Sequence, residues 1–386
     1  MRIGIFSECF NPVLNGVVVS INTFKAELEK RGHEFYIFTT ASLEDFEDDA
    51  HIIRYPIMLG FKPKGGKYPI AWPQNAKKIA KKMAELKIDL VHSQHMLGLG
   101  KTGNYAATIL GIPKVLTYHT LLAEYAHYVP IFHGLARKYL ISQSKNLCNR
   151  YDQIVTPSPS MAKVLKTYGV TQPIESIATG VDLAQYENHF SRDELLSKWQ
   201  VPKEKKLLLY ISRIAKEKNV DFLFKAIKKL SANRDDFHLL IVGGGPELNF
   251  YKNVAQKDNL DRVITFTDMQ PKNETVKYFG AADIFVFPSY TETQGIVVTE
   301  AMAAGVPAVA VNKMGPSDII QSGEDGFLTD LNVDEFTDRI SSLLDGPELR
   351  KKMGENARVA AQKYSTKATA DQMEELYGKV TRNYRS

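Results

Sequence analysis

Residues 281–311 read AADIFVFPSYTETQGIVVTEAMAAGVPAVAV. Ile284-Phe285-Val286-Phe287 is a short apolar run closed by Pro288 and Ser289, which predicts a strand buried on both faces. A polar loop follows. From Gly295 the composition turns helical and stops at Gly305-Val306-Pro307, before a second apolar run at 307–311. Strand, loop, helix and strand in that order predict a unit of a parallel sheet. The same segment carries two carboxylates, Glu292 in the loop and Glu300 about a turn and a half into the helix. Between them opens the helix N-terminus, with free N–H groups around Gly295 to Val297. Such an end attracts an anion, commonly a diphosphate. Carboxylates on either side suit the hydroxyls of a sugar and a ribose, although a solvated pair of surface acids has the same spacing.

Outward from this segment the pattern repeats. RIGIF (2–6), FYIFTT (35–40), LVHSQ (90–94), KVLTYH (114–119) and QIVTPS (153–158) read as strands alternating with helical stretches. After a polar stretch around 178–202, LLLYIS (207–212), HLLIVGG (238–244) and VITFTD (263–268) precede the two strands above. The predicted fold is α/β, with two doubly wound Rossmann-like domains facing across a cleft lined by strand C-termini. The expected domains are residues 1–190 and 191–365, with the last helix, about 366–386, packing back on the first.

Two domains also suit 386 residues, more than one hydrophobic core usually serves. No apolar run approaches the ~18 residues that span a bilayer, and MRIGIF enters a strand at once, unlike a signal peptide. Cys9 and Cys148 form no CxxC pair, so a disulfide scaffold is not expected and a reducing cytoplasm is. The net charge of +5 hides an asymmetry: residues 54–150 hold fifteen Lys/Arg against Glu85, Asp89 and Glu124. That +12 block predicts an anionic partner, either nucleic acid or phospholipid.

Several strand ends carry candidate chemistry. Arg213 closes the strand 207–212 and Lys218 follows five residues later, two cations suited to a diphosphate leaving group. Gly243-Gly244-Gly245-Pro246 is a tight turn able to approach a phosphate or base, but Leu248 stands where a dinucleotide fingerprint needs glycine. In the first half, Asn15-Gly16-Val17 follows the opening strand, and His119 ends the strand 114–119. His92 and His95 lack a third metal ligand and read as structural. Gly100-Lys101-Thr102 resembles the end of a phosphate-binding loop whose first glycine position is His95. No Asp-x-Asp occurs, so no metal site and no cofactor is expected, and charge neutralisation falls to Arg213, Lys218 and helix ends.

In their order, these elements resemble the family 4 retaining glycosyltransferases of the two-Rossmann (GT-B) fold. The resemblance runs from Phe10-Asn11-Pro12 and Asn15-Gly16-Val17 through Arg31-Gly32-His33-Glu34, Gly180-Val181-Asp182, Ser212-Arg213 and Lys218. It continues through Val242 to Pro246 and ends at the Glu292/Glu300 pair. It implies transfer of a hexose from a nucleotide-sugar with retention at the anomeric carbon, by a front-face reaction assisted by the leaving phosphate. By the same resemblance Glu300 holds the ribose, Glu292 with Thr293, Gln294, Gly295 and Ile296 holds the sugar, and Arg213 and Lys218 hold the diphosphate. Gly16 approaches that diphosphate, His119 lies beside the sugar, and Gly243, Gly244 and Met269 border the nucleotide.

Thr291-Glu292-Thr293-Gln294-Gly295 and Thr117-Tyr118-His119-Thr120, followed by Glu124-Tyr125 and His127-Tyr128, resemble the diacylglycerol glucosyltransferases among these enzymes. The implied donor is UDP-glucose, the implied acceptor 1,2-diacylglycerol, and the implied location the cytoplasmic face of the cell membrane. The basic block agrees independently. Lys77, Lys78, Lys81 and Lys82 recur on a predicted helix with Ile79 and Met83 between them, and Phe61, Tyr68 and Trp72 lie nearby as interfacial aromatics. Alternatives are a mannosyl- or other hexosyltransferase acting on phosphatidylinositol or a soluble acceptor, and a nucleotide-sugar epimerase. A nucleic-acid binder would leave the paired charges of the second half unexplained.

Overall fold

A computed structural model of the chain describes residues 1–13, 15–42, 47, 49–57, 71–72, 74–121, 123, 133–187 and 191–385. The chain divides into two units, Met1–Gly180 with Thr366–Ser386, and Val181–Ser365.

Among the described residues the first unit has seven parallel strands: β1 (Arg2–Phe6), β2 (Glu34–Thr40), β3 (Ile52–Tyr55), β4 (Leu90–Ser93), β5 (Lys114–Thr117), β6 (Gln153–Thr156) and β7 (Ile174–Ser176). Their order in the sheet is β3-β2-β1-β4-β5-β6-β7. Alternation along β1 separates two cores. Ile3 and Ile5 join Val18, Ile21 and Phe24 of α1 (Gly16–Glu29) and Met373, Leu376 and Tyr377 of the C-terminal helix, Thr366–Arg385. Phe6 faces the other way, with Ile79 and Met83 of α2 (Ala76–Glu85) and Leu99, Ala106 and Ala107 of α3 (Gly98–Leu110). In chain order follow α4 (His133–Cys148) and α5 (Pro159–Thr167), the latter started by a Ser158 cap and Pro159. The C-terminal helix is held by charge as well as by apolar contact, since Arg31 reaches Glu374 at 2.7 Å and Asp371 at 2.8 Å.

The second unit has β8 (Lys206–Ile211), β9 (Phe237–Val242), β10 (Ile264–Asp268), β11 (Ile284–Phe287), β12 (Ala308–Val311) and β13 (Gly326–Thr329), parallel and ordered β10-β9-β8-β11-β12-β13. Helices α6 (Arg192–Lys198), α7 (Val220–Ser231), α8 (Leu248–Lys257), α9 (Lys272–Ala281), α10 (Ile296–Ala303), α11 (Met314–Ile319), α12 (Val333–Asp345) and α13 (Pro347–Ala361) complete it, and Thr366–Arg385 is α14.

Two expectations need correcting. The division falls at Gly180/Val181 and not at residue 190, because Val181, Tyr186, Leu195 and Leu196 are buried in the second unit's core. Gly180 lies against α14, where an added Cβ would sit 2.6 Å from Thr366 Cα. The second correction concerns β3, β7 and β13, which the apolar runs did not predict. All three are sheet edges. IIRY and IES have no fully buried residue, so they lack the continuous hydrophobic signal of a central strand.

Candidate active site

The decisive loop joins β11 to α10. Gly295 caps the helix with φ +84°, the left-handed region glycine tolerates, and no side chain accepts from the first helical N–H groups. The Val298 N–H donates to the Gly295 carbonyl at 2.9 Å, and the positive end of the helix suits an anion. The loop is braced from the α11 side, where the Gly315 N–H donates to the Glu292 carbonyl at 2.9 Å. A side chain at Gly315 would lie 2.1 Å from the Gln294 carbonyl, so only glycine lets the two segments approach.

Glu292 is half-buried, and its Oε1 accepts from Ser289 Oγ at 3.2 Å and from the Lys218 ammonium. Lys218 ends a 3-10 turn, Lys216–Lys218, and the left-handed Asn219 that stops it donates its amide to the Pro288 carbonyl at 3.0 Å. Thr291 Oγ1 donates to the Glu217 carbonyl at 3.1 Å. Arg213 is exposed and pairs with Glu217. The expected cations therefore stand at the strand end already matched to carboxylates, a pairing the sequence did not predict. Ser289, Thr291, Glu217 and Asn219 were missed because each is an ordinary loop residue until the turn and loop are brought together.

Glu300 is the fifth residue of α10. Burial raises its pKa above the ordinary carboxylate range, while Lys272 and a hydrogen bond from Tyr186 oppose that rise. Tyr186, from a 3-10 turn at Leu183–Tyr186, was not predicted, since it precedes the site by more than a hundred residues. Thr293 and Ile296 are half-buried and Gln294 is buried.

Gly243, with φ +145°, closes β9 so tightly that a Cβ would lie 1.9 Å from the Ser212 carbonyl. Gly244 faces Met269, whose side chain is exposed, and the Ile214 N–H donates to the Gly244 carbonyl at 2.9 Å. Since β9, β8 and β11 are adjacent and parallel, the glycine turn, Arg213 and Lys218, and the Glu292 loop share one edge of the sheet, where ligands bind in open α/β folds.

In the first unit, Gly16 begins α1 in open space, and Asn15 caps that helix by accepting from the Val18 N–H at 2.9 Å. His119 Nε2 is hydrogen-bonded to Gln94 Oε1 at 2.7 Å. Burial, helped by His95 and His92, lowers its pKa to about 3, so the ring is neutral. His92 joins Tyr377 and Thr117, both at 2.6 Å, a structural role as expected from its spacing. Tyr118 is turned inward to Ser144 at 2.9 Å.

Lys77, Lys78, Lys81, Lys82 and Trp72 are exposed. Ile79 and Met83 are not part of that face; both are buried beneath it, because the apolar side of α2 covers the sheet. Phe61, Tyr68, Glu124, Tyr125, His127 and Tyr128 lie outside the described residues. Among the described residues no three His, Cys, Asp or Glu side chains converge as metal ligands, and no helix is long and apolar enough to cross a membrane.

Two doubly wound parallel sheets in one chain, the second carrying a charged strand-end site, define the GT-B class. Family profiles agree: "Glycosyltransferase Family 4" matches residues 14–185 and "Glycosyl transferases group 1" matches residues 191–360. The chain belongs to the family 4 glycosyltransferases. It is 34% identical to an alpha-monoglucosyldiacylglycerol synthase of Streptococcus pneumoniae over 80% of this chain and 71% of that protein. A protein of the same name from Acholeplasma laidlawii is 28% identical over 98% and 96% of the two chains. Other relatives are named D-inositol 3-phosphate glycosyltransferase and GDP-mannose-dependent alpha-mannosyltransferase, at 31% and 28% identity. Anabaena HepE, solved in complex with UDP-glucose, shares the fold with a TM-score of 0.77 at 18% identity, covering 98% of this chain and 100% of that one. None of these lends support to the epimerase alternative.

Proposed function

We propose that this glycosyltransferase moves glucose from UDP-glucose onto 1,2-diacylglycerol, with retention and without a metal ion, giving 3-glucosyl-diacylglycerol. The observation that carries the donor half is the Lys218–Glu292 ion pair beside the uncapped N-terminus of α10. A cation, helix N–H groups and a carboxylate within one loop suit a sugar diphosphate, whose phosphates are anionic and whose sugar is neutral. The acceptor half is supported by the relatives' names, in which "alpha" denotes the linkage expected of retention from an α-linked donor.

In this reading Lys218 and Arg213 offset charge as the bond from C1 to the diphosphate breaks. The departing phosphate oxygen takes the proton of the acceptor hydroxyl, which bonds to C1 on the same face. Glu292, Thr293, Gln294, Gly295 and Ile296 hold the sugar, Glu300 the ribose, and Gly243, Gly244 and Met269 the base side of the nucleotide. Gly16 is assigned to the diphosphate and His119 to the sugar. Peripheral association with the cytoplasmic membrane face would follow from the acceptor, with Lys77, Lys78, Lys81, Lys82 and Trp72 toward the lipid.

The test is mass spectrometry of products from diacylglycerol-containing vesicles offered UDP-glucose, UDP-galactose or GDP-mannose in the presence of EDTA. A hexosyl-diacylglycerol formed from UDP-glucose alone is the expected product. The names of the inositol and mannose relatives favour a second reading, which predicts GDP-mannose use or a product only with an inositol-containing or soluble acceptor. Donor consumption without any glycolipid would overturn the lipid assignment.

A further inference from the structure

The lysine helix α2 presents charge but no large apolar side chain to solvent, since Ile79 and Met83 are both buried. Membrane attachment by α2 alone would be purely electrostatic. Exposed apolar side chains stand beside it: Trp72 before α2, Leu135 and Tyr139 on α4, and a regular stripe on its neighbour α3. Leu97, at the cap of α3, is 53% exposed, Tyr105 is 42% exposed and Ile109 is 53% exposed. With Lys101 they recur every four residues along one side of the helix, while Leu99, Gly100, Gly103, Asn104, Ala106 and Ala107 bury the other. Three large apolar side chains on one exposed helical stripe are unusual where nothing covers them.

Their surroundings indicate the partner. Tyr105 accepts from Arg150 at 2.7 Å, and both Lys101 and Arg150 lie about 6 Å from its ring centre. Across α2, α3 and α4 there are eight Lys/Arg and one acid, Glu85. Apolar side chains standing among an excess of cations match the order of an anionic leaflet, with phosphate outside and hydrocarbon beneath.

We propose that α3 is a lipid-inserting element of the first unit, with Leu97, Tyr105 and Ile109 entering the acyl boundary of an anionic membrane and α2 supplying only attraction. This rests on the membrane reading above. Insertion at an interface places such side chains about 5–10 Å below the headgroups, a depth that a probe can report.

The test uses the full chain and vesicles of phosphatidylglycerol with phosphatidylcholine. An environment-sensitive NBD probe at Ile109→Cys is expected to brighten on binding and to be quenched by acyl-chain spin labels, whereas the same probe at the exposed Lys166→Cys stays unquenched. The combined variant Leu97→Ser, Tyr105→Ser and Ile109→Ser, confirmed folded by circular dichroism, is expected to bind at least about tenfold more weakly. Wild-type binding with an unquenched probe and an unaffected triple variant would overturn α3 while leaving the membrane reading intact. Failure of the wild type to bind any vesicle would overturn both. A lipid-free dimer abolished by the triple variant would assign the stripe to a second copy of the chain instead.

Discussion

The Tyr186 hydroxyl donates to the Glu300 carboxyl, tying the turn at Leu183–Tyr186 to the middle of α10. Burial favours the neutral acid, and the tyrosine partly restores the ionised form by supplying the hydrogen bond that water would have made. Tyr186 thus adds to Lys272 in favouring the ionised form of the carboxylate assigned to the ribose.

Replacing Tyr186 with Phe should weaken donor binding by about tenfold, the usual cost of one hydrogen bond to a charged group. Because Glu300 titrates above the ordinary carboxylate range, donor affinity should fall as pH drops through its raised pKa. In Tyr186→Phe that fall should begin at higher pH, since a contact that lowers the pKa is gone. Calorimetry of donor binding across a pH series decides this; an unshifted profile would remove the proposed role of the tyrosine.

Lys218→Met should lower kcat by about a hundredfold or more, in line with the loss of one preorganised charge-stabilising donor. Glu292→Gln should weaken the same site, and the two changes together should cost less than their separate effects combined, because the residues form one ion pair. Steady-state kinetics of the four forms supplies the comparison. Strict additivity would mean the pair does not act as a unit.

The two glycine candidates should part company. Gly243→Ala meets the Ser212 carbonyl and forces φ +145° on alanine, so unfolding free energy should fall by about 2 kcal/mol or more. Gly16→Ala meets nothing within 4 Å and should change stability by less than about 0.5 kcal/mol while still weakening donor binding. Denaturant titration separates them, and a Gly16→Ala protein with unaltered donor affinity would end the proposed diphosphate approach.

Buried histidines should make the fold acid-sensitive. Burial lowers His92 and His119 to about 3 and His95 and His238 to about 4, from an ordinary value of 6.5. Their contribution to stability is present above 6.5 and is lost as pH falls toward those depressed values, because the unfolded chain takes up protons first. The slope is up to about 1.4 kcal/mol per pH unit for each histidine. Chemical denaturation at neutral pH and near pH 5 should differ accordingly, and equal stabilities would show these rings to be less enclosed than described.

Membership of the α/β class was written in central strands such as IFVF at 284–287 and LLLYI at 207–211, where burial on both faces leaves a continuous apolar run. The edge strands β3, β7 and β13 left no such mark, since only one side of each is paired. Glu292, Glu300, Arg213 and Lys218 were legible as candidates because each lies at a strand end or on the helix that follows. Their partners were not. Glu217 and Tyr186 are unremarkable in sequence: Glu217 meets Arg213 through the local turn that follows β8, and Tyr186 meets Glu300 because separate segments come together.

The α2 lysines show the same division. Local periodicity gave their spacing, yet only the fold revealed that Ile79 and Met83 turn inward and that the neighbouring α3 carries the exposed apolar stripe. By itself the sequence determined the strand and helix alternation, the glycine positions and the charge excess of residues 54–150, all properties of short segments or of composition. Tertiary structure alone decided that Lys218 meets Glu292, which histidines stay neutral and where the chain passes from one unit to the next. Those outcomes depend on contacts between residues distant in sequence, and local periodicity carries no information about such contacts.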